Sequence, residues 1–138
     1  MNGEAKNEKV VLFVDDDEIS NFVSVKTLED ARIADRILSV TGAREALELI
    51  KEGINGKGPV PDLIFLDINM PIMTGWDFLE EYKEIRARIE KKIYIIILTS
   101  SVYKHDKAKA ATYKDVDDYT LKPLDISDLI VFKRKYLS

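Results

Sequence analysis

The segment Leu63-Ile64-Phe65-Leu66-Asp67-Ile68-Asn69-Met70-Pro71-Ile72-Met73-Thr74 is an apolar run that stops at one carboxylate and then turns. Pro61 bounds it before and Met70-Pro71 after. Proline neither donates to a ladder nor continues one, so the run reads as a buried strand with Asp67 at its exit. An ionised carboxylate beside an apolar core is costly unless something pairs with it. The reading of the chain therefore turns on what converges on Asp67.

Upstream, Val10 to Val14 is a second apolar run, stopped by Asp15-Asp16-Asp17. Asp17 suits the cap of the helix that follows, since a short carboxylate accepts a free first-turn amide. Ile19, Phe22 and Val23 give that helix its spacing, to about Glu29. Ile37 to Val40 is a shorter strand. Thr41 then opens a helix with Ala43, Ala46, Leu47 and Ile50 at i, i+3, i+4 and i+7. The glycine- and proline-bearing stretch Gly53 to Pro61 is a connecting loop.

Downstream, Thr74 caps a helix with a stripe of Trp76, Leu79, Tyr82, Ile85 and Ile89. Ile93 to Leu98 is wholly apolar or aromatic and ends at Thr99-Ser100-Ser101. A polar helix is expected from about Val102 to Thr112, then a short strand Asp118 to Leu121 stopped by Lys122-Pro123. Asp125, with Asp128 three residues on, has the spacing of a capping box and opens a last helix carrying Ile126, Leu129 and Ile130.

Strands alternating with helices specify an α/β fold, a parallel sheet covered on both faces. The continuous apolar runs at Val10, Leu63 and Ile93 belong at its centre, and the shorter strands at Ile37 and Asp118 at its edges. Right-handed crossovers then favour the strand order 2-1-3-4-5, the flavodoxin-like doubly wound arrangement. In such a sheet every strand ends on the same rim. Asp15, Asp16, Asp67, Thr99 and Lys122 all fall there, beside the switch point between strands 1 and 3.

Length and composition narrow the function. At 138 residues the chain suits one domain, divided here into a tail at 1–8 and a folded unit at 9–138. The 46% hydrophobic and 33% charged content is that of a globular protein. No apolar run reaches a membrane span, and the polar start lacks a signal-peptide core, so a cytoplasmic location is expected. With no cysteine there are no disulfides or thiolate metal sites. A net charge of −4 argues against nucleic acid as a direct partner.

Carboxylates a few ångströms apart repel by about 4 kcal/mol per pair at an effective dielectric of 20, so a cation must join them. An oxygen-only ligand set selects a hard divalent ion, best Mg²⁺. A carboxylate beside such an ion, an ammonium and a hydroxyl suits phosphoryl transfer, with Asp67 attacking to form an acyl phosphate.

Val14-Asp15-Asp16, Leu66-Asp67-Ile68-Asn69-Met70-Pro71, Leu98-Thr99-Ser100 and Tyr119 to Pro123 together resemble the response-regulator receiver domain of two-component signalling, the chemotaxis receiver among its members. The resemblance implies that Asp67 is the phosphoacceptor, Asp16 a direct Mg²⁺ ligand, Asp15 a ligand through water and Asn69 a ligand through its backbone carbonyl. It implies that Thr99 bonds a phosphoryl oxygen, that Lys122 pairs with Asp67 and then with its phosphate, and that Lys122-Pro123 is a cis peptide. Thr99 and Tyr119 would form the switch, read out on the fourth helix, fifth strand and fifth helix. Three departures stand out: Ser100 where a small residue is usual, Ser101 at a position that influences phosphoryl lifetime, and Lys114 to Asp117 in place of Gly-Ala.

The expected activity is thus a phosphorelay switch rather than a turnover enzyme. Its partners would be a histidine kinase or histidine phosphotransfer protein upstream and a protein target downstream, with homodimerisation left open. Because the chain ends after its fifth helix, a single-domain regulator is expected. The alternatives are a receiver-like scaffold that is never phosphorylated and a small aspartate-nucleophile phosphatase; Asn69 stands where the second carboxylate of that phosphatase class belongs. His105, among Lys104, Asp106 and Lys107, reads as a surface residue.

Overall fold

A computed structural model describes residues 8–100 and 104–138, without the side chains of residues 104 and 105. The residues quoted above as Ser101 and Val102, and the side chain of His105, lie outside that range. The strands are β1 (Val10–Val14), β2 (Arg36–Val40), β3 (Leu63–Asp67), β4 (Tyr94–Thr99) and β5 (Val116–Leu121). The helices are α1 (Glu18–Asp30), α2 (Ala43–Ile54), α3 (Gly75–Ile85), α4 (Lys104–Ala111) and α5 (Ile126–Tyr136).

All strand pairings are parallel, in the order β2-β1-β3-β4-β5. β1 and β3 are buried along their whole length, whereas β2 is half-exposed, as expected for centre and edge. Alternate residues of each strand feed two cores. Leu12, Val14, Ile64, Leu66, Ile95 and Ile97 pack with α2 and α3. Val11, Phe13, Phe65, Ile96 and Leu98 pack on the other face with Leu28 of α1 and with Leu129 and Phe132 of α5.

Register fixes the rim. Val14 pairs with Leu66, Asp67 with Leu98, and Thr99 with Leu121, so the polar residues that end or follow these strands come out side by side. Gly75 closes the turn that follows Asp67. A Cβ on it would lie 2.7 Å from both the Asp67 carbonyl oxygen and Ile68 Cα, so α3 can start this close to the strand only without a side chain there. The Thr74 side chain accepts from the Asp77 amide and the Asp77 side chain accepts from the Thr74 amide, which closes a capping box.

The elements depart from the sequence reading at several points; in the last helix Asp125 caps by accepting the Ser127 amide, and Ile126 and Ile130 are exposed. The second helix begins at Ala43, with Gly42 and not Thr41 before it. The third ends at Ile85 in a 3₁₀ turn, Arg86–Arg88, leaving Ile89 beyond the helix. β5 begins at Val116 because Ile95 pairs with Val116 and Ile96 with Asp118, so Asp117 is an extra residue in the ladder. The Asp117 carboxylate accepts the Ile95 amide across that bulge at 2.9 Å, and the buried Asp115 pairs with Arg86, which settles the segment that lacks Gly-Ala.

Another departure is α1. Ile19 and Phe22, which supply its apolar spacing, are 77% and 73% exposed, and Val23 is half-exposed. The buried residues are Asn21, Ser24 and Leu28. Asn21 explains the inversion: its side-chain amide donates to the carbonyls of Asp15 and Val40, both at 3.1 Å, tying the helix to the ends of β1 and β2. A satisfied amide is stable where an unsatisfied one is not.

Candidate functional site

Each side chain of the rim is set by the strand it ends. Asp15 follows β1 and is fully buried; Asp67 ends β3 and is 2% exposed. Lys122, just past β5, is held to the sheet by its amide, which donates to the Thr99 carbonyl at 2.8 Å. From there its ammonium bridges both carboxylates, 2.9 Å from Asp15 Oδ2 and 3.0 Å from Asp67 Oδ2. Lys122-Pro123 is a cis peptide bond.

The remaining oxygens are also engaged. Asp67 Oδ1 accepts the Asn69 amide at 2.9 Å. Asp15 Oδ1 accepts the Asp17 amide at 3.0 Å, and Asp15 Oδ2 accepts the Ser20 hydroxyl at 2.7 Å. Thr99 ends β4 fully buried, and the Asn69 side-chain amide approaches its hydroxyl at 3.5 Å, the long limit of a hydrogen bond. Among the described residues, no buried side-chain nitrogen or oxygen lacks a partner. Tyr119, at mid-β5, is half-buried and packs at the edge of the α2/α3 core.

The two carboxylates share one ammonium, yet their pKa values are shifted in opposite directions. Burial raises the Asp67 carboxyl above its ordinary range, and the Asn69 amide and Lys122 only partly offset it, while Asp15 adds to the rise. Burial also acts upward on Asp15, but Lys122, the Asp17 amide and the Ser20 hydroxyl together outweigh it and leave the group below the ordinary range. Asp15 has one more donor than Asp67. Burial works against the Lys122 charge, but hydrogen bonds to Asp15 and Asp67 prevail and raise its pKa.

Asp16 is half-buried, and carboxylate oxygens of Asp15, Asp16 and Asp67 all lie within 4.8 Å of one another. An oxygen-only donor set of this size fits a hard divalent cation such as Mg²⁺. The arrangement thus brings together Asp15, Asp16, Asp67, Asn69, Thr99 and Lys122. It also adds two residues that sequence reasoning passed over, Ser20 and Asn21. Their signal was present: Ser20, Asn21, Ser24 and Leu28 fall on one face of α1, so a polar stripe in phase with one leucine marked the buried side.

One loop of the rim is strained. Ile72 adopts φ of 67° and is wholly exposed, an uncommon conformation for a β-branched residue. No helix among the described residues is long and apolar enough to cross a membrane.

Comparison with known proteins agrees with the geometry. The two-component response regulator ORR6 of Oryza sativa subsp. japonica is 32% identical over 126 residues, covering 91% of this chain and 69% of that protein. A two-component response regulator from Cytophaga hutchinsonii superposes with a TM-score of 0.81 at 32% identity, over 93% of this chain and 96% of that one. The receiver domain of the histidine kinase CKI1 from Arabidopsis thaliana, solved with Mg²⁺ and BeF₃⁻, superposes with a TM-score of 0.73 at 25% identity, over 92% and 90%. The family model of the response regulator receiver domain matches residues 11–132, and the chain accordingly belongs to that family, the receiver domains of two-component signalling.

Proposed function

We propose that this receiver accepts a phosphoryl group on Asp67 from a phosphohistidine of a partner protein, with Mg²⁺ held by Asp15, Asp16, Asp67 and the Asn69 backbone carbonyl. The observation that carries the reading is the Lys122 bridge between Asp15 and Asp67 within 4.8 Å of a third carboxylate. A bound divalent ion would neutralise the carboxylates and the charge that grows on the transferred group. The chain supplies the rest. The Asp67 carboxylate is the nucleophile, its Oδ1 accepting the Asn69 amide and its Oδ2 the Lys122 ammonium. As the P–O bond to Asp67 forms, the P–N bond to the donor imidazole breaks. Lys122 stays within reach of the new phosphate, and Thr99 lends its hydroxyl. The Mg²⁺ and BeF₃⁻ of the Arabidopsis relative support the same assignment here.

The apolar side of α1 gives the donor a place to sit. Ile19 and Val23 line a groove of about 420 Å³ with Ser20, Lys122 and Pro123, so this surface is continuous with the acceptor site. An exposed apolar patch at the mouth of a buried site marks an interaction surface. A helical partner presenting a histidine there would reach Asp67. The output is read on α4, β5 and α5 through Thr99 and Tyr119: phosphorylation adds about −1.5 to −2 charge, enough to bias a two-state surface.

A radiolabelled phosphohistidine donor tests this reading. Label should move to wild type in Mg²⁺, map to the peptide containing Asp67, and fail to move in a chelator or to Asp67→Asn. Equal labelling of Asp67→Asn would reject it.

A further inference from the structure

We infer that Ser20 is a positioning residue for the cation site, its hydroxyl holding Asp15 in the orientation from which that carboxylate serves the ion. The inference rests on the proposed role of Asp15, Asp16 and Asp67 in binding a cation.

Asp15 is fully buried and takes one local donor on each oxygen: the Asp17 amide at 3.0 Å on Oδ1 and the Ser20 hydroxyl at 2.7 Å on Oδ2. A donor on each oxygen fixes the plane of the carboxylate as well as its direction. Lys122 also donates to Oδ2 while a second of its three N–H groups serves Asp67, so it ties Asp15 to Asp67 and not to α1. Ser20 has no such second acceptor on the rim. It is anchored in turn by its own amide, which donates to Asp17 Oδ1 at 3.1 Å. The start of α1 and the Asp15 carboxylate are therefore locked together through Asp17 and Ser20.

The electron count leaves room for the ion. A carboxylate offers about four lone-pair sites, and Asp17, Ser20 and Lys122 occupy one each. What remains can face a cation or water bound to one. Without the Ser20 hydroxyl, Asp15 would turn further toward Lys122, and the ion would have to compete with that ammonium for a less ordered carboxylate. Partners that orient a ligand in this way typically change metal affinity by about 10- to 100-fold when removed.

Calorimetric titration of Mg²⁺ into the full chain tests the inference without recourse to phosphorylation, alongside thermal unfolding of each variant in chelator. Ser20→Ala should weaken Mg²⁺ binding by about tenfold. Ser20→Thr, which keeps the hydroxyl, should bind like wild type, and so should Ser24→Ala, which alters the same buried face one turn further from the carboxylates. Wild-type affinity in Ser20→Ala would overturn the role of Ser20 while leaving the cation site standing. Equal losses in Ser20→Ala and Ser24→Ala, in step with their unfolding temperatures, would also overturn it by reducing the effect to stability. Failure of wild type itself to bind Mg²⁺ would overturn the cation site and this inference together.

Discussion

Helices α1 and α2 lie on opposite faces of one sheet and use their apolar residues in opposite ways. α2 buries Ala43, Ala46, Leu47 and Ile50 in a core, and its charged residues face water. α1 turns Ile19, Phe22 and Val23 outward and buries Asn21 and Ser24. The difference follows from what each helix touches. The buried face of α2 meets a wholly apolar core, whereas the first turns of α1 meet the exits of β1 and β2, where backbone carbonyls and the Asp15 carboxylate require donors. A helix beside a polar site serves the site with one face, and here its apolar residues are left exposed.

The contrast can be broken most strongly at α2. Leu47→Ala should cost about 2–5 kcal/mol of stability in denaturant unfolding, since the side chain is fully buried and its removal leaves a cavity. Asn21→Ala should cost about 1–3 kcal/mol, because two carbonyls at the strand ends lose a shared donor. If this variant were as stable as wild type, the polar face of α1 would have no structural role.

Asp67→Asn sharpens the contrast within the site. A carboxyl whose pKa is raised on folding favours the folded state at pH below its unfolded value, and that contribution is lost as pH rises through the folded value. At neutral pH, in chelator, the charged Asp67 is thus a liability, and Asp67→Asn should unfold at a higher temperature than wild type. The gain should shrink as pH falls into the carboxylate range, where wild type protonates Asp67 by itself. Asp15 has the opposite sign: its lowered pKa stabilises above the unfolded value and that contribution is lost as pH falls through the folded one. Asp15→Asn should therefore destabilise at neutral pH. Shifts of the same sign for both variants would contradict the assignment.

The smallest expected change in stability is at Phe22, whose side chain is 73% exposed: Phe22→Ser should alter it by less than about 0.5 kcal/mol. The same substitution should slow phosphotransfer from a protein donor and leave the rate from a small-molecule donor unchanged. Equal rates with the protein donor would remove Phe22 from the docking surface.

The sheet was legible in the sequence because three apolar runs end abruptly at Asp15, Asp67 and Thr99, and a parallel sheet sends all such ends to one rim. Which face of α1 is buried was not legible from its apolar spacing. Hydrophobic periodicity assumes that the core takes the apolar side, and here carbonyls and a carboxylate took the polar one. The Asp117 bulge was hidden for a related reason, since a carboxylate accepting the Ile95 amide stands in for a backbone partner that no pattern of polarity reveals. Ser20 lay in plain view, but only Asp15 above it gives its hydroxyl a task.

The central claim is that Asp67 is the nucleophile of a cation-assisted phosphoryl acceptor. Intact-mass measurement after incubation with Mg²⁺ and a small acyl phosphate donor tests it most directly. Wild type should gain one hydroxylamine-labile phosphoryl group, and Asp67→Asn none. Wild type left unmodified, or a phosphoryl group of the same lability on Asp67→Asn, would contradict it.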